Sequence, residues 1–291
     1  MKRLLLPLIL VAIGFALLPV VLIARTPWRD RLPDTRGPEE LGYGRHPSQK
    51  LDYWRPEKTG SPLVVFVHGG GWKRGDKRHA AGQKASHFLE QEYGFASINY
   101  RLVPDCTVEE QARDVSSALA FLVKKADSLG FDKTRIVLMG HSAGAHLSAL
   151  VGTDMSYLRE AGLGSKSLRG VIPLDGACYD VPRQIADGAG IMHDTYVQAF
   201  GAERARQLAL SPMHHAAAPN SPAFLILHVQ RVDGTAQSRA LGEALKKAVT
   251  KVVVRGFEGF GLKGHAEINR RLGDPSYPVT SVVDEWLRQV F

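Results

Sequence analysis

The sequence predicts an α/β fold with a mainly parallel sheet and helices on both faces. Short, continuous apolar runs alternate with longer helical stretches, which is typical of strands buried between layers of helices. The 291 residues are 44% hydrophobic and 23% charged, as in a globular chain with a sizeable core. This composition excludes disorder, collagen and coiled coil. With only two cysteines, Cys106 and Cys178, a disulfide-stapled scaffold is excluded and we expect no bridge.

The chain begins with an apolar segment. After Met1, Lys2 and Arg3 come twenty residues without a charge, enough for a helix about 30 Å long that could cross a bilayer. The positive start predicts a cytoplasmic N-terminus and an exported remainder. No small-residue cleavage site fits well, so we interpret residues 1–24 as an uncleaved membrane anchor. A cleaved signal peptide and a buried core helix are the alternatives.

Residues 25–50 are rich in Pro and Arg and show no hydrophobic periodicity, so we expect a linker. Residues 51–291 are expected to form one domain. Its predicted strands lie at residues 51–54, 63–68, 95–100, 135–139, 170–174, 224–228 and 252–254. Its predicted helices lie at residues 78–92, 108–128, 143–151, 238–249 and 279–290. In such sheets the ligand site lies beyond the carboxyl ends of the strands, so the residues just after each strand matter most.

A serine turn follows the strand at residues 135–139. Gly140-His141-Ser142-Ala143-Gly144 matches G-x-S-x-G between that strand and the next helix. In this context the serine lies on a strained turn with its oxygen exposed, and glycines let the backbones approach closely. We therefore predict Ser142 as a nucleophile and the N–H of Ala143 as an oxyanion donor. A flexible Ser/Gly turn without chemistry is the alternative.

A glycine-rich loop, His68-Gly69-Gly70-Gly71-Trp72, follows the strand at residues 63–68. Its N–H groups could face a ligand, and Gly70 and Gly71 are the candidate partners of Ala143 in stabilising an oxyanion. A structural turn or a phosphate cradle are alternatives, but neither the Walker pattern nor G-x-G-x-x-G is present. We expect His68 to brace the loop.

A serine nucleophile needs a histidine base and a carboxylate that orients it, in the chain order Ser, acid, His. Asp233 is the acid that follows the strand at residues 224–228, and we favour it. Asp175 and Asp180 remain open as alternatives, although Asp175 suits a strand-end cap and Asp180 a turn. His265 comes after all three and is the predicted base. The pair His214-His215 has no partner at metal-ligand spacing, so we expect no metal site.

With these motifs, residues from about 50 onward resemble the α/β-hydrolase fold, and most of all the bacterial carboxylesterase and hormone-sensitive-lipase-like group. The resemblance implies Ser142, Asp233 and His265 as catalytic triad, and Gly70, Gly71 and Ala143 as oxyanion hole. The segments INYRLVPD and HAEINRRLGDP also resemble sequence segments of this family. The acid departs from the pattern, because Asp233 lies one place later than a typical H-G-x-x-D counted from His228.

The resemblance implies an esterase that needs no cofactor. A lid of about 35 residues, 178–213, favours short acyl or aryl esters. An amide hydrolase similar to kynurenine formamidase is one alternative, and a catalytically inactive binding module on the same fold is another. The net charge of +8 comes from dispersed Lys and Arg without interleaved aromatics, which argues against nucleic-acid binding. We expect the protein to bind a small ester as its substrate and to be attached to the bacterial inner membrane through residues 1–24, facing the periplasm. If that segment is cleaved, we expect a soluble periplasmic or secreted protein. The oligomeric state stays open.

Overall fold

The computed structural model describes residues 37–188, 190–217 and 219–291. Within this part of the chain, eight strands form a single sheet in the order β1-β2-β4-β3-β5-β6-β7-β8. β1 and β2 pair antiparallel, β2 is antiparallel to β4, and every other neighbouring pair is parallel. The strands are β1 (Glu39–Gly42), β2 (Lys50–Trp54), β3 (Ser61–Val67), β4 (Gly94–Ile98), β5 (Phe131–His141), β6 (Gly170–Leu174), β7 (Ala223–Gln230) and β8 (Lys251–Phe260).

Helices connect these strands. They are α1 (Lys77–Ala81), α2 (Lys84–Glu90), α3 (Val108–Leu129), α4 (Ala143–Thr153), α5 (Met155–Glu160), α6 (Val181–Asp187), α7 (Gly190–Phe200), α8 (Arg204–Ala209), α9 (Val232–Lys247), α10 (Gly261–Arg270) and α11 (Pro278–Val290). The longest, α3, begins at a capping box of Thr107 and Glu110 and ends at Gly130, whose φ of 82° suits glycine.

The sheet carries a core on each face. Along β3, Leu63, Val65 and Val67 pack on the side of α3, α4 and α9. Val64 and Phe66 point to the other side, where α1, α2, α10 and α11 lie. This alternation explains why the strand reads as a continuous apolar run, since both of its faces are buried. The predicted parallel sheet with helices on both faces is confirmed.

Three predicted boundaries differ from the structure. β1 lies inside the segment expected to be a linker, and it pairs with β2, so the domain begins before residue 51. β1 was hard to recognise because it is a four-residue edge strand with no apolar alternation. The helix expected at residues 78–92 is divided into α1 and α2 at Gly82, whose φ is 50°. β8 runs well beyond the expected residues 252–254.

The segment between β6 and β7 forms the helical insertion expected as a lid. It contains α6, α7, α8 and a 3-10 helix at Pro212–His215. Cys178, at its start, and Cys106 are both buried free thiols. The segment at residues 1–24 lies outside the described residues. Along the residues that are described, no helix has the length and apolar character needed to cross a bilayer.

Candidate active site

Ser142 lies on the tight turn between β5 and α4. Its φ is 57° and its ψ is −119°, a left-handed conformation that is strained for a serine. The flanking glycines are required by space: a Cβ on Gly140 would lie 2.1 Å from the carbonyl oxygen of Gly144, and one on Gly144 would lie 2.2 Å from that of Val67. The sequence pattern thus reflects backbone crowding at this turn. Ser142 lines a cavity of about 250 Å³ at the carboxyl ends of the strands.

The glycine-rich loop after β3 lines the same cavity. Gly70 and Gly71 have φ values of 130° and 62°, which favour glycine, and a Cβ on Gly70 would lie 2.0 Å from the carbonyl oxygen of Arg74. Ala143 also faces the cavity and is the first residue of α4, so its N–H has no acceptor within the helix. The three residues expected to stabilise an oxyanion are therefore brought together beside Ser142.

His68 fixes the start of this loop. Its ring is stacked on Tyr100 with centroids 4.3 Å apart, and its Nδ1 lies 2.8 Å from the carbonyl oxygen of Gly69. The Tyr100 hydroxyl donates to the backbone oxygen of His68. Burial lowers the pKa of His68, which favours the neutral ring. The structure places His68 as a brace of the loop, as expected.

His265 lies on α10 and contacts Asp175. The Nδ1 atom of His265 lies 2.5 Å from Oδ2 of Asp175, which directly follows β6. Asp175 is fully buried, and its Oδ1 accepts the N–H of Val229. Burial raises the pKa of Asp175, but the hydrogen bond to His265 and the charge of Arg231 outweigh it, so the pKa falls below its usual value. The carboxylate is thus ionised and oriented towards the histidine.

Asp233 does not contact His265, and the expectation that it orients the base is corrected here. It lies in the first turn of α9 with its side chain 37% exposed. Its Oδ2 accepts a hydrogen bond from Gln184 of α6, so it ties α9 to the lid. The chain enters α9 almost directly after β7, which carries Asp233 away from the base. His265 itself was expected in a loop and lies on a helix.

Arg231 occupies the place beside His265 where the acid was expected. Its Nη1 lies 3.1 Å from Nδ1 of His265, and its Nε lies 3.5 Å from Oδ2 of Asp175. No sequence motif singles out this arginine, because its importance depends on how α9 begins.

His141, the residue before Ser142, holds the backbone of the base. Its Nε2 donates to the carbonyl oxygen of His265 over 2.8 Å, and the two rings lie 4.5 Å apart. Burial, and then the neighbouring His265, hold the pKa of His141 well below its usual value, so the ring is neutral. The G-x-S-x-G pattern does not reveal this contact, because it leaves the second residue unspecified.

Trp72, at the end of the glycine-rich loop, joins the lid to the sheet. Its Nε1 donates to Nδ1 of His146 on α4, whose Nε2 in turn contacts the backbone oxygen of Leu210. Tyr196 and Phe200 of α7 pack edge-on against the indole. Through Trp72 the lid helix α7 is fixed over the cavity.

Comparisons with known proteins agree with this architecture. The BD-FAE family model matches residues 51–180. Esterase B from Lactobacillus rhamnosis superposes with a TM-score of 0.73 at 23% identity, covering 89% of this chain and 86% of that one. Butyrate-bound esterase Est2 from Thermogutta terrifontis gives a TM-score of 0.71 at 23% identity, covering 89% and 96%. The chain has the α/β-hydrolase fold of these esterases.

In sequence this chain is similar to several esterases. Esterase LipC of Mycobacterium tuberculosis is 36% identical over 130 residues, covering 42% of this chain and 32% of that protein. Esterase LipQ of the same organism is 30% identical over 213 residues, covering 68% of this chain and 50% of that protein. The matches thus span a third to a half of the length of these curated relatives.

The site of this chain can support nucleophilic chemistry by a serine. One cavity is lined by a strained serine, a histidine paired with a buried carboxylate, and three residues, Gly70, Gly71 and Ala143, whose backbone N–H groups are candidate donors. Such a set can activate a hydroxyl and stabilise an oxyanion. Among the described residues, no group of three or more His, Cys, Asp or Glu side chains is placed to hold a metal ion.

Proposed function

We propose that this protein is a serine carboxylic-ester hydrolase with Ser142, His265 and Asp175 as its triad. The observation that carries the proposal is the contact between Asp175 and His265 at the wall of the cavity that Ser142 also lines. The nucleophile, the orienting acid and the base come from the connections that follow β5, β6 and β8. The names of the sequence relatives support ester rather than amide chemistry.

The proposed reaction has two halves. Ser142 Oγ attacks the ester carbonyl carbon while His265 Nε2 takes the hydroxyl proton. Asp175 stabilises the imidazolium through Nδ1, and the N–H groups of Gly70, Gly71 and Ala143 receive the negative oxygen. The tetrahedral intermediate collapses, the alcohol leaves with the proton from His265, and an acyl-enzyme remains. Water then attacks the acyl-enzyme with the same proton transfers, which releases the acid and restores Ser142.

The cavity favours small substrates. Its volume of about 250 Å³ is slightly below the roughly 300–1,000 Å³ of sites that hold drug-sized molecules. Met192, Thr195 and Tyr196 of α7 close one side, and Trp72 fixes that helix in place. A short acyl chain or an aryl ester suits this space. The fold neighbour Est2, seen with butyrate bound, is consistent with that substrate class.

The membrane location is a separate part of the proposal. Residues 4–23 carry no charge and follow Lys2 and Arg3, which supports an anchor that places the enzyme on the outer face of a bacterial inner membrane. Fractionation of cells that express the full chain tests this. Recovery in the membrane fraction, at the full-length mass, is expected; a shortened soluble protein would indicate a cleaved signal instead.

Hydrolysis of p-nitrophenyl acetate and butyrate by the full-length protein tests the activity. The Ser142→Ala variant is the matched control, because it removes the nucleophile and adds no bulk at the turn. We expect turnover by the wild type and a loss of about 10⁴-fold or more in the variant. Equal rates for the two proteins would overturn the proposal. N-formylkynurenine in the same assay separates an amide hydrolase, and absence of turnover on either substrate would favour a binding module.

A further inference from the structure

The walls of the active-site cavity carry more positive than negative charge. Lys73, Arg74 and Arg231 line it, whereas its one lining carboxylate is Asp175, which is engaged by His265. Apolar groups, among them Met192 and Leu262, make up much of the remaining wall. A cleft with this charge distribution raises the local concentration of anions.

Arg231 lies near two carboxylates but makes no close ion pair with either of them. Its Nε lies 3.5 Å from Asp175 and 3.8 Å from Asp233, and this buried nitrogen has no hydrogen-bond partner within the described residues. Its Nη1 faces Nδ1 of His265, which already donates to Asp175 and so cannot accept from Arg231. Its Nη2 donates to the backbone oxygen of Gly176 over 3.4 Å, a long hydrogen bond. The guanidinium, which lines the cavity, therefore has weakly engaged donors on its two terminal nitrogens, in a planar arrangement that suits a carboxylate.

Lys73 and Arg74 supply the second source of positive charge. They directly follow the glycine-rich loop, and both line the same cavity. Lys73 donates to the neutral side chain of Gln198 on α7. In the part of the chain that the structure describes, neither side chain lies within 4.0 Å of a carboxylate oxygen. Their charges are thus uncompensated at the cavity.

We propose that the preferred substrates of this enzyme are esters that carry a carboxylate, which Arg231 binds with the support of Lys73 and Arg74. This inference rests on the proposed ester hydrolysis and names its substrate class. It requires the negative group to lie on the acyl or the alcohol part of the ester, away from the carbonyl that Ser142 attacks. A neutral ester of equal size fills the apolar wall but leaves the donors of Arg231 unused.

Matched pairs of esters test the proposal. One pair is 4-acetoxybenzoate and 4-acetoxybenzamide, which differ in charge on the alcohol side. The other is mono-p-nitrophenyl adipate and its methyl ester, which differ in charge on the acyl side. At low ionic strength we expect kcat/KM to be about tenfold higher for the anionic member of at least one pair, the gain from a charge-assisted contact. Added salt should reduce the preference.

Variants assign the preference to the cavity. In Arg231→Gln and Arg74→Gln the ratio of kcat/KM within a pair should fall towards one, and Arg231→Lys should restore part of it. Because Arg231 also contacts the His265–Asp175 pair, only the ratio is interpreted for its variants. Arg78→Gln is the matched control: it removes the same charge from an exposed position outside the cavity, and its ratio should equal that of the wild type.

Two results would overturn the inference. The first is a wild-type ratio of one or less for both pairs. The second is a preference that persists in Arg231→Gln and Arg74→Gln, or that Arg78→Gln reduces as much as they do. Failure of the proposed function is distinguishable from these, because then all four esters would be hydrolysed no faster by the wild type than by Ser142→Ala.

Discussion

The Nδ1 atom of His265 lies 2.5 Å from Oδ2 of Asp175, so the carboxylate that follows β6 orients this histidine. Asp175 has a φ of 46°, which turns its side chain sharply at the strand end, and Val229 of β7 donates to its other oxygen. The next connection, after β7, supplies Arg231 to the same cluster. The acid and a cation thus come from adjacent strand ends and share one histidine.

This arrangement predicts different effects for two neighbouring aspartates. Asp175→Asn keeps the shape and one acceptor oxygen but removes the charge that stabilises the imidazolium, so turnover of p-nitrophenyl butyrate should fall about 10⁴-fold. Asp233→Asn changes a half-exposed group that contacts Gln184 and Arg231, and turnover should stay within about fivefold of the wild type. Steady-state kinetics with both variants measures this.

Thermal unfolding of both variants controls for loss of the fold. The assignment of Asp175 fails if Asp233→Asn costs as much turnover as Asp175→Asn, or if Asp175→Asn retains near wild-type rates while folded.

The serine turn and the glycine-rich loop could be predicted from sequence because each motif is a contiguous run of residues. Gly140 and Gly70 are fixed by backbone contacts within or next to their own motifs, whereas Gly144 is fixed by the carbonyl oxygen of Val67 at the end of β3. The identity of the acid could not be decided from a local motif. Asp175 and Asp233 both precede His265 and both follow strands that end at the same edge of the sheet, so chain order admits either. The choice between the two acids depends on how β7 passes into α9. The Leu-Asp-Gly sequence at the end of β6 was the available sign that Asp175 is the acid.

The contacts of His141 and Arg231 depend on tertiary placement in the same way. In the sequence pattern His141 is only the unspecified residue before Ser142. Its actual partner, the carbonyl oxygen of His265, lies 124 positions away along the chain. The hydrophobic periodicity of the sequence cannot predict such a contact, because the contact forms only when α10 packs on the end of β5.

His141 is expected to position the base through one hydrogen bond. In His141→Gln the amide nitrogen can take the place of Nε2 and keep the donor to His265, whereas in His141→Asn the shorter amide cannot reach. We expect kcat on p-nitrophenyl butyrate to fall about tenfold in the Asn variant and less in the Gln variant, with KM changed little in both. Equal losses in the two variants, or a loss confined to KM, would contradict a positioning role.

Gly140 is expected to tolerate no side chain. In Gly140→Ala the new Cβ would meet the carbonyl oxygen of Gly144 at 2.1 Å, which only backbone movement can relieve. The free energy of unfolding should fall by about 3 kcal/mol, measured by urea denaturation. Gly164→Ala is the matched control, since a Cβ there meets nothing within 4 Å and its φ is −102°. A similar stability for both variants would argue against the crowding.

Lys84 should make stability depend on pH. It is buried beneath α10, donates to the backbone oxygens of Ala80 and Asn269, and burial lowers its pKa to about 7. In the unfolded chain the lysine keeps its proton up to about pH 10. Between pH 7 and 9 the unfolded state therefore binds more protons than the folded state, and the free energy of unfolding gains about 1 kcal/mol per pH unit from this residue.

Urea denaturation of the wild type and Lys84→Met at pH 7, 8 and 9 measures this contribution. Methionine keeps the length of the side chain but cannot be charged, and the other titrating groups are common to both proteins. The difference in unfolding free energy, wild type minus variant, should therefore rise with pH, because the cost of a buried charge in the wild type disappears as Lys84 loses its proton. Stability curves that stay parallel across this range would show that Lys84 has the same protonation in the folded and unfolded states.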